Sequence, residues 1–184
     1  MVLGLFLSLG ESFSDLKKQG QDQLMINQNI RFFARHFKKI YVFTYKKESI
    51  KLPQNCQLIT PPLKLHRYLY GFLAPFIHLR IFKKIDIIRC YQLSGALPGI
   101  IAKIFFHKKF VFNLGYDYSQ FAQIEGKPVQ ACLFSWLKPL ALQLADRIII
   151  KNKTMLKDLS LKIKRKTTFI QDGSCFKSNL KANC

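Results

Sequence analysis

DIIRCYQLSGALPGIIAKIFFHKKFVFNLGYDY, running from Asp86 to Tyr118, is the stretch that decides the fold. Two short apolar runs, Ile85–Cys90 and Lys109–Leu114, are rich in Ile, Val and Phe and too short for helices. The segment between them, Ala96–Phe106, is compatible with a helix. Strand, helix and strand at this spacing predict a βαβ unit with parallel strands. Open parallel sheets bind ligands outside the carboxyl ends of their strands, so we expect the functional site there.

The N-terminal part of the chain predicts the opening of a Rossmann-like domain. Val2–Leu9 is a continuous apolar run, which is typical of a strand covered on both faces. We interpret Gly10–Gly20 as a loop, Gln21–Phe37 as an amphipathic helix and Lys39–Tyr45 as the second strand. Because no GxGxxG fingerprint follows the first strand, we predict no dinucleotide cofactor.

The remaining segments continue the alternation of strands and helices. Cys56–Thr60 is predicted to be a third strand, and Leu63–Lys84 a helix that Pro75 would kink. After the central unit we predict a helix, a strand, a short helix and a last strand: Pro128–Ala145, Arg147–Ile150, Lys153–Ser160 and Thr167–Gln171. The pattern predicts an α/β fold, a Rossmann-like parallel sheet of six or seven strands with helices on both faces. We expect one domain over residues 1–173, and a frayed tail or the start of an interdomain linker over residues 174–184.

Charge is the compositional outlier, because 30 Lys and Arg against 10 Asp and Glu give a net charge of +20. Such a field favours an anionic partner: nucleic acid, an anionic membrane or a phosphorylated substrate. No acidic residue lies between Ser49 and Ile85, and the helix predicted there is basic, aromatic and apolar. This combination of basic, aromatic and apolar residues on one helix predicts contact with a membrane surface. The alternative is a core helix with a solvated basic edge. The contact residues would be Lys64, Arg67, Arg80, Lys83 and Lys84.

The five cysteines argue against both a disulfide framework and a zinc site, since they are odd in number and form no CxxC motif. The cysteines fit a reducing compartment, so we expect a cytoplasmic protein. Because of the basic helix, we expect it to be peripheral on the inner face of the membrane. The four histidines have no ligand partner at i+4, and we predict no metal site.

The order of these motifs resembles the N-terminal half of GT-B glycosyltransferases of the retaining family 4 type. Four places carry the resemblance: the first strand with its Gly10–Gly20 loop, the central Asp86–Tyr118 stretch, ALQLADRIIIKNKTMLKDL with its Ala-Asp before a strand, and TTFIQDG. In the last motif Asp172 stands where the family usually has Asn.

The resemblance implies the acceptor-binding half of a retaining glycosyltransferase, with a glycan or a lipid-linked acceptor. Family members continue with a second domain that grips the nucleotide-sugar. We therefore expect no cofactor bound by this chain alone, no transfer by the isolated chain, and a possible separate chain carrying the donor domain. The chain would be a truncated gene product, a fragment or one half of a split enzyme.

The resemblance also implies site residues at the strand ends. Gly10 and Gly20 would face the donor phosphates, unless they belong to a plain surface loop. Gln92, Ser94 and Gly95 would line the acceptor site through hydrogen bonds from Gln92 to sugar hydroxyls; the alternative is that Ser94 caps a helix.

The loop Gly115, Tyr116, Asp117 and Tyr118 is the strongest candidate site. Asp117 would act in catalysis, orienting an acceptor hydroxyl or accepting its proton, and the tyrosines would stack on a sugar face. In the alternative interpretation Asp117 caps the following helix and the tyrosines pack.

Two other functions remain open at this point. A basic nucleic-acid-binding module would explain the charge, but no RNP, KH, zinc-finger or helix-turn-helix signature is present, so nucleic acid is not favoured. A non-catalytic membrane-docking subunit of a split glycosyltransferase differs from the first proposal only in where the donor site resides.

Overall fold

The computed structural model describes residues 1–115, 117–157 and 159–170. Its centre is a seven-stranded, entirely parallel sheet with the strand order β3-β2-β1-β4-β5-β6-β7. The strands are β1 Val2–Phe6, β2 Lys39–Phe43, β3 Cys56–Ile59, β4 Ile87–Tyr91, β5 Lys109–Leu114, β6 Arg147–Ile150 and β7 Thr167–Phe169. The predicted α/β fold class is confirmed, with the helices described next.

Ten α-helical segments lie in the described part of the chain. They are α1 Phe13–Lys18, α2 Asp22–Leu24, α3 Arg31–His36, α4 Arg67–Ile77, α5 Leu79–Lys84, α6 Leu97–Phe106, α7 Tyr118–Ile124, α8 Pro128–Leu144, α9 Thr154–Lys157 and α10 Leu161–Lys164. A π-helical turn, Met25–Ile30, joins α2 to α3, and a 3₁₀ turn, Leu93–Gly95, precedes α6.

Alternating strand residues divide the core between the two faces of the sheet. Leu5 of β1 belongs to the cluster that also contains Phe13 of α1 and Ile30 of the π-helical turn. The next residue, Phe6, belongs to the larger cluster, which also contains Phe82 of α5 and residues of α4, α6 and α8. Consecutive strand residues are therefore buried on opposite faces of the sheet, and helices cover each face.

The interpretation of Gly10–Gly20 as a loop is wrong, because α1 lies inside it. Ser12 caps this helix, and its side chain accepts a hydrogen bond from the N–H of Asp15 while the Asp15 carboxylate accepts one from the N–H of Ser12. Glu48 adds a distant cap by accepting hydrogen bonds from the N–H groups of Phe13 and Ser14, at 2.9 and 3.1 Å. The short helix thus depends on a residue about 35 positions away.

The helix predicted over Leu63–Lys84 is divided into α4 and α5. Helix α4 runs through Pro75, and the interruption before α5 falls at His78. The ring of His78 turns inward there: its Nε2 lies 3.0 Å from the hydroxyl of Tyr70, and its centroid 5.8 Å from that of Phe43. The interruption is where this side chain packs into the core.

Candidate functional site

A cleft of about 490 Å³ opens where the sheet changes its direction of winding. The chain places β2 and β3 on one side of β1 and the later strands on the other, so the switch point lies between β1 and β4. Residues Ser8 to Glu11 after β1 and Ser94 after β4 line the cleft. This is the crevice in which open α/β sheets bind ligands.

Helices supply most of the remaining lining of the cleft, and Lys46 of the loop after β2 adds an ammonium group. Arg67 and Tyr68, at the start of α4, contribute a guanidinium and an aromatic ring. Tyr118 and Phe121 of α7 contribute two more rings, and Gln130 of α8 an amide. The lining therefore combines aromatic faces with hydrogen-bonding groups, as sites for small polar ligands do.

Glu11 is the lining residue whose acidity is most informative. Burial raises the pKa of its carboxyl above the usual value, although the hydrogen bond from the Ser8 N–H, at 3.3 Å, works in the opposite direction. A carboxylate that is partly desolvated in a cleft is suited to accept a proton or a substrate hydrogen bond. The sequence prediction did not include Glu11. Its available signal was an acidic residue, rare in this chain, just after the first strand.

The two glycines predicted to face the donor phosphates, Gly10 and Gly20, differ in position. Gly10 lines the cleft with a φ of +80°, and a Cβ there would stand 2.9 Å from Cδ of Arg67. Gly20 follows α1 with a φ of +69° and is not among the lining residues. The N–H of Gly20 donates to the Lys17 carbonyl and that of Gln21 to the Leu16 carbonyl, so Gly20 is the left-handed residue that follows the Gln19 C-cap and ends α1.

Gln92 and Tyr118, which were predicted from the sequence to lie at two different strand ends, are in contact. The Tyr118 hydroxyl donates to Oε1 of Gln92 at 2.6 Å. Gly115 lies beside them, since a Cβ at this glycine would be 3.4 Å from the same oxygen. Gln92 has a φ of +64° and a ψ of 162°, a region that residues other than glycine rarely occupy. Tyr116 lies outside the described residues.

Ser94 and Gly95 tie the β4 loop to the β1 loop. The N–H of Leu9 donates to Oγ of Ser94 at 3.4 Å, while the cap of α6 is Ala96 without a side-chain hydrogen bond. The alternative that Ser94 caps a helix is therefore wrong. A Cβ on Gly95 would stand only 2.7 Å from the carbonyl oxygen of Leu7, so glycine permits this close approach.

Asp117 caps helix α7 and is held by hydrogen bonds. Its carboxylate accepts from the N–H of Ser119 at 3.0 Å, from the Ser119 hydroxyl and from the ammonium group of Lys138. Burial alone would raise the pKa of Asp117, but the bonds from Lys138 and Ser119 outweigh it and the pKa lies below its usual value. The capping alternative is observed, and Asp117 is not among the lining residues of the cleft. Its catalytic role stays a prediction.

The predicted membrane-contact residues all lie on the surface. Lys64, Arg67, Arg80, Lys83 and Lys84 are exposed. Arg67 differs from the others because it lines the cleft, where its guanidinium carbon lies 5.3 Å from the Tyr68 ring centroid.

Within the described part of the chain, no three His, Cys, Asp or Glu side chains come close enough to hold a metal ion. No described helix is long and apolar enough to pass through a lipid bilayer.

Comparison with known proteins identifies the fold. No protein-family model and no curated protein matches the sequence. Among solved structures, one of sucrose-phosphate synthase from Thermosynechococcus elongatus aligns with a TM-score of 0.62 and 13% identity over 99% of this chain and 94% of that one. A second structure of that enzyme gives 0.67 and 14% over 95% of this chain and 48% of that one. Anabaena HepE, in complex with UDP and glucose, gives 0.53 and 16% over 97% and 49%.

The fold is that of one GT-B domain. These structural neighbours are GT-B glycosyltransferases. The chain spans about half the length of two of the three structures, which are those covered to 48% and 49%. The sequence prediction of a GT-B half is thus confirmed for the architecture.

Proposed function

We propose that this chain is the acceptor-binding half of a retaining glycosyltransferase, of the family 4 type, acting on a lipid-linked or polysaccharide acceptor. The observation that carries the proposal is the cleft at the switch point of a GT-B domain, with the Glu11 carboxylate and aromatic rings in its lining. Structural neighbours of the same fold, about twice as long as this chain, are glycosyltransferases, which supports the reaction class.

The lining suits a sugar. Pyranose rings present an apolar face bordered by hydroxyl groups, and the rings of Tyr68, Tyr118 and Phe121 offer surfaces for that face. The Glu11 carboxylate accepts hydrogen bonds from hydroxyls, and the Gln130 amide both donates and accepts. The exposed guanidinium of Arg67 at the rim matches a phosphate, whether it belongs to a phosphorylated lipid carrier or to the donor.

In the proposed reaction the anomeric carbon of the donor exchanges its bond to a diphosphate oxygen for a bond to the acceptor oxygen. The nucleoside diphosphate departs, and the acceptor hydroxyl passes its proton to the Glu11 carboxylate. The nucleotide-sugar would be held by a second domain across the cleft, on this chain's own polypeptide or on a separate one. The 184 residues alone are expected to bind acceptor and transfer nothing.

Glu11 is the better placed of the two candidate bases. It lines the cleft and has a raised pKa, so its carboxylate binds a proton more readily than an ordinary one. Asp117 has a lowered pKa and its oxygens are bonded to Ser119 and Lys138, which makes it a poorer proton acceptor. We propose that Glu11 orients the acceptor hydroxyl and that Asp117 positions Tyr118 by fixing the start of α7.

The experiment is native mass spectrometry of the 184-residue chain mixed with a glycolipid extract, followed by incubation with UDP-glucose and GDP-mannose. We expect glycolipid adducts that weaken about tenfold in Glu11→Gln, since a charged hydrogen bond is replaced by a neutral one. Asp22→Asn, whose carboxylate is not among the cleft's lining groups, is the matched control and should bind as the original chain does. Sugar transfer by the chain alone, or adducts of the nucleotide-sugar without glycolipid, would contradict the proposal.

A further inference from the structure

Two neighbouring helices expose large apolar side chains on their outer surfaces. On α4, Leu69, Phe72 and Phe76 keep 48, 45 and 41% of their surface exposed, and on α6, Ile104 and Phe105 keep 46 and 58%. The three α4 residues follow each other at intervals of three and four, so they share one stripe of the helix. Apolar side chains at this density on a surface mark a contact with another molecule.

The two helices present these side chains as one surface. The ring centroids of Phe72 and Phe76 are 6.5 Å apart, and those of Phe76 and Phe105 are 5.5 Å apart across the two helices. We call the five residues Leu69, Phe72, Phe76, Ile104 and Phe105 the aromatic patch.

Three cations lie on α5, the helix that follows α4 in the sequence. Arg80, Lys83 and Lys84 of α5 are exposed, and none of the ion pairs among the described residues involves them. No acidic residue occurs between Ser49 and Ile85 to compensate their charge. We call these three residues the basic edge. Phe106 of α6 contacts both Phe76 of the aromatic patch and Phe82 of α5, with ring centroids 5.7 and 6.1 Å apart, so α5 packs next to the aromatic patch. An apolar surface next to cations that take part in none of the ion pairs among the described residues complements a bilayer that carries anionic lipids.

We propose that the aromatic patch and the basic edge dock this domain on the surface of an anionic lipid bilayer, with the phenyl rings among the acyl chains and the cations against lipid phosphates. The aliphatic members, Leu69 and Ile104, favour a bilayer over nucleic acid, because a phosphate backbone gains nothing from exposed Leu and Ile side chains. The surface joins α4 and α6, whereas the sequence predicted contact through one helix and its cations.

The docking surface and the cleft share helix α4. Arg67 and Tyr68 at its start line the cleft, and the aromatic patch begins one residue later at Leu69. This arrangement places a membrane-anchored acceptor within reach of the cleft, a consequence that rests on the proposed function. Docking itself does not depend on it.

The test is cosedimentation of the 184-residue chain with vesicles of phosphatidylcholine and phosphatidylglycerol that contain no glycolipid. Replacing Arg80, Lys83 and Lys84 by Gln should weaken partitioning by roughly 100-fold at low salt, since each cation near such a surface contributes about fivefold. The matched control replaces Arg31, Arg35 and Lys38, exposed cations on or just after α3, and should change partitioning far less.

A second pair of variants tests the apolar contact. Phe105→Ser should lower the partitioning that survives at high salt at least fivefold, whereas Phe32→Ser, which is 54% exposed on α3, should leave it unchanged. Equal losses in the two triple variants, or no loss in Phe105→Ser, would show binding by net charge alone and overturn the proposal. Tighter binding to duplex DNA than to vesicles at matched salt would also overturn it. Because the vesicles lack any sugar acceptor, failure here leaves the cleft proposal standing.

Discussion

The Tyr118 hydroxyl donates a 2.6 Å hydrogen bond to Oε1 of Gln92, a residue held at a φ of +64°. This bond joins the end of β4 to the first residue of α7 across the carboxyl edge of the sheet. A non-glycine residue in this conformation costs on the order of 1–3 kcal/mol, and it persists only where its surroundings hold it. Strain of this kind is concentrated at functional sites, and here it lies next to the proposed acceptor cleft.

Gln92→Gly and Gln92→Ala measure that strain when they are compared with each other. Both variants lose the amide that Tyr118 bonds, so the difference between them reports the backbone. We expect the glycine variant to be more stable than the alanine variant by about 1 kcal/mol or more, after allowance for the greater freedom of glycine in the unfolded chain. Chemical denaturation gives both values. Equal stabilities would mean that the backbone at residue 92 is not strained.

Asp117→Ala should lower the free energy of unfolding by about 1 kcal/mol, because it removes the cap of α7 and leaves Lys138 without its carboxylate. From the sequence we instead favoured a catalytic Asp117 over a helix cap, and a carboxylate free in an open site would cost less than about 0.5 kcal/mol to remove. Asp117→Asn is the matched control, since Asn caps helices about as well as Asp and should retain most of the stability. Thermal melting of the two variants distinguishes the interpretations: a melting temperature unchanged in Asp117→Ala would return Asp117 to the cleft.

The stability of Glu11→Gln should depend on pH in a specific direction. The pKa of Glu11 is raised above 4.5 in the folded chain, so the ionised carboxylate costs stability at neutral pH and the protonated one does not. We expect Glu11→Gln to be more stable than the original chain at pH 7 and equal to it below pH 4.5.

Asp117→Asn provides the comparison with the opposite sign. The pKa of Asp117 is lowered below 3.8, so its contribution is present at neutral pH and is lost as the pH falls through the folded value. Asp117→Asn should be less stable than the original chain at pH 7 and should approach its stability in acid. Denaturation curves at several pH values test both variants. A stability difference of the same sign in Glu11→Gln and Asp117→Asn at pH 7 would contradict the raised pKa of Glu11 or the lowered pKa of Asp117.

The strands of the sheet could be predicted from the sequence because they are short apolar runs between polar or turn-forming residues. The bounds of β5 and β6 were predicted as they are observed, and every predicted strand overlaps an observed one. The described residues end at Ile170. The last residues of the final predicted strand and of the TTFIQDG motif, and the whole predicted tail from residue 174, lie outside them.

Features held by distant residues were not predictable in the same way. Helix α1 is only six residues long and its first amides bond Glu48, and α7 begins at a cap held by Lys138, 21 residues further along. Neither long-range contact leaves a local pattern, so Asp117 was assigned to the functional site. Glu11 was missed for the same reason, because its desolvation arises from a tertiary cleft rather than from its neighbours in sequence. Helix α1 did have one local signal, the Ser12 and Asp15 capping box, but it was interpreted as a loop.

The central claim is that the cleft beside Glu11 binds a sugar. Saturation-transfer NMR of the 184-residue chain with glucose, the sugar found in the HepE structure, tests it most directly. We predict transfer from protein to the sugar ring protons, reduced at least about fivefold in Glu11→Gln and unchanged in Asp22→Asn. No saturation transfer to glucose, or equal transfer to glucose in Glu11→Gln and the original chain, would contradict the claim that this cleft binds a sugar.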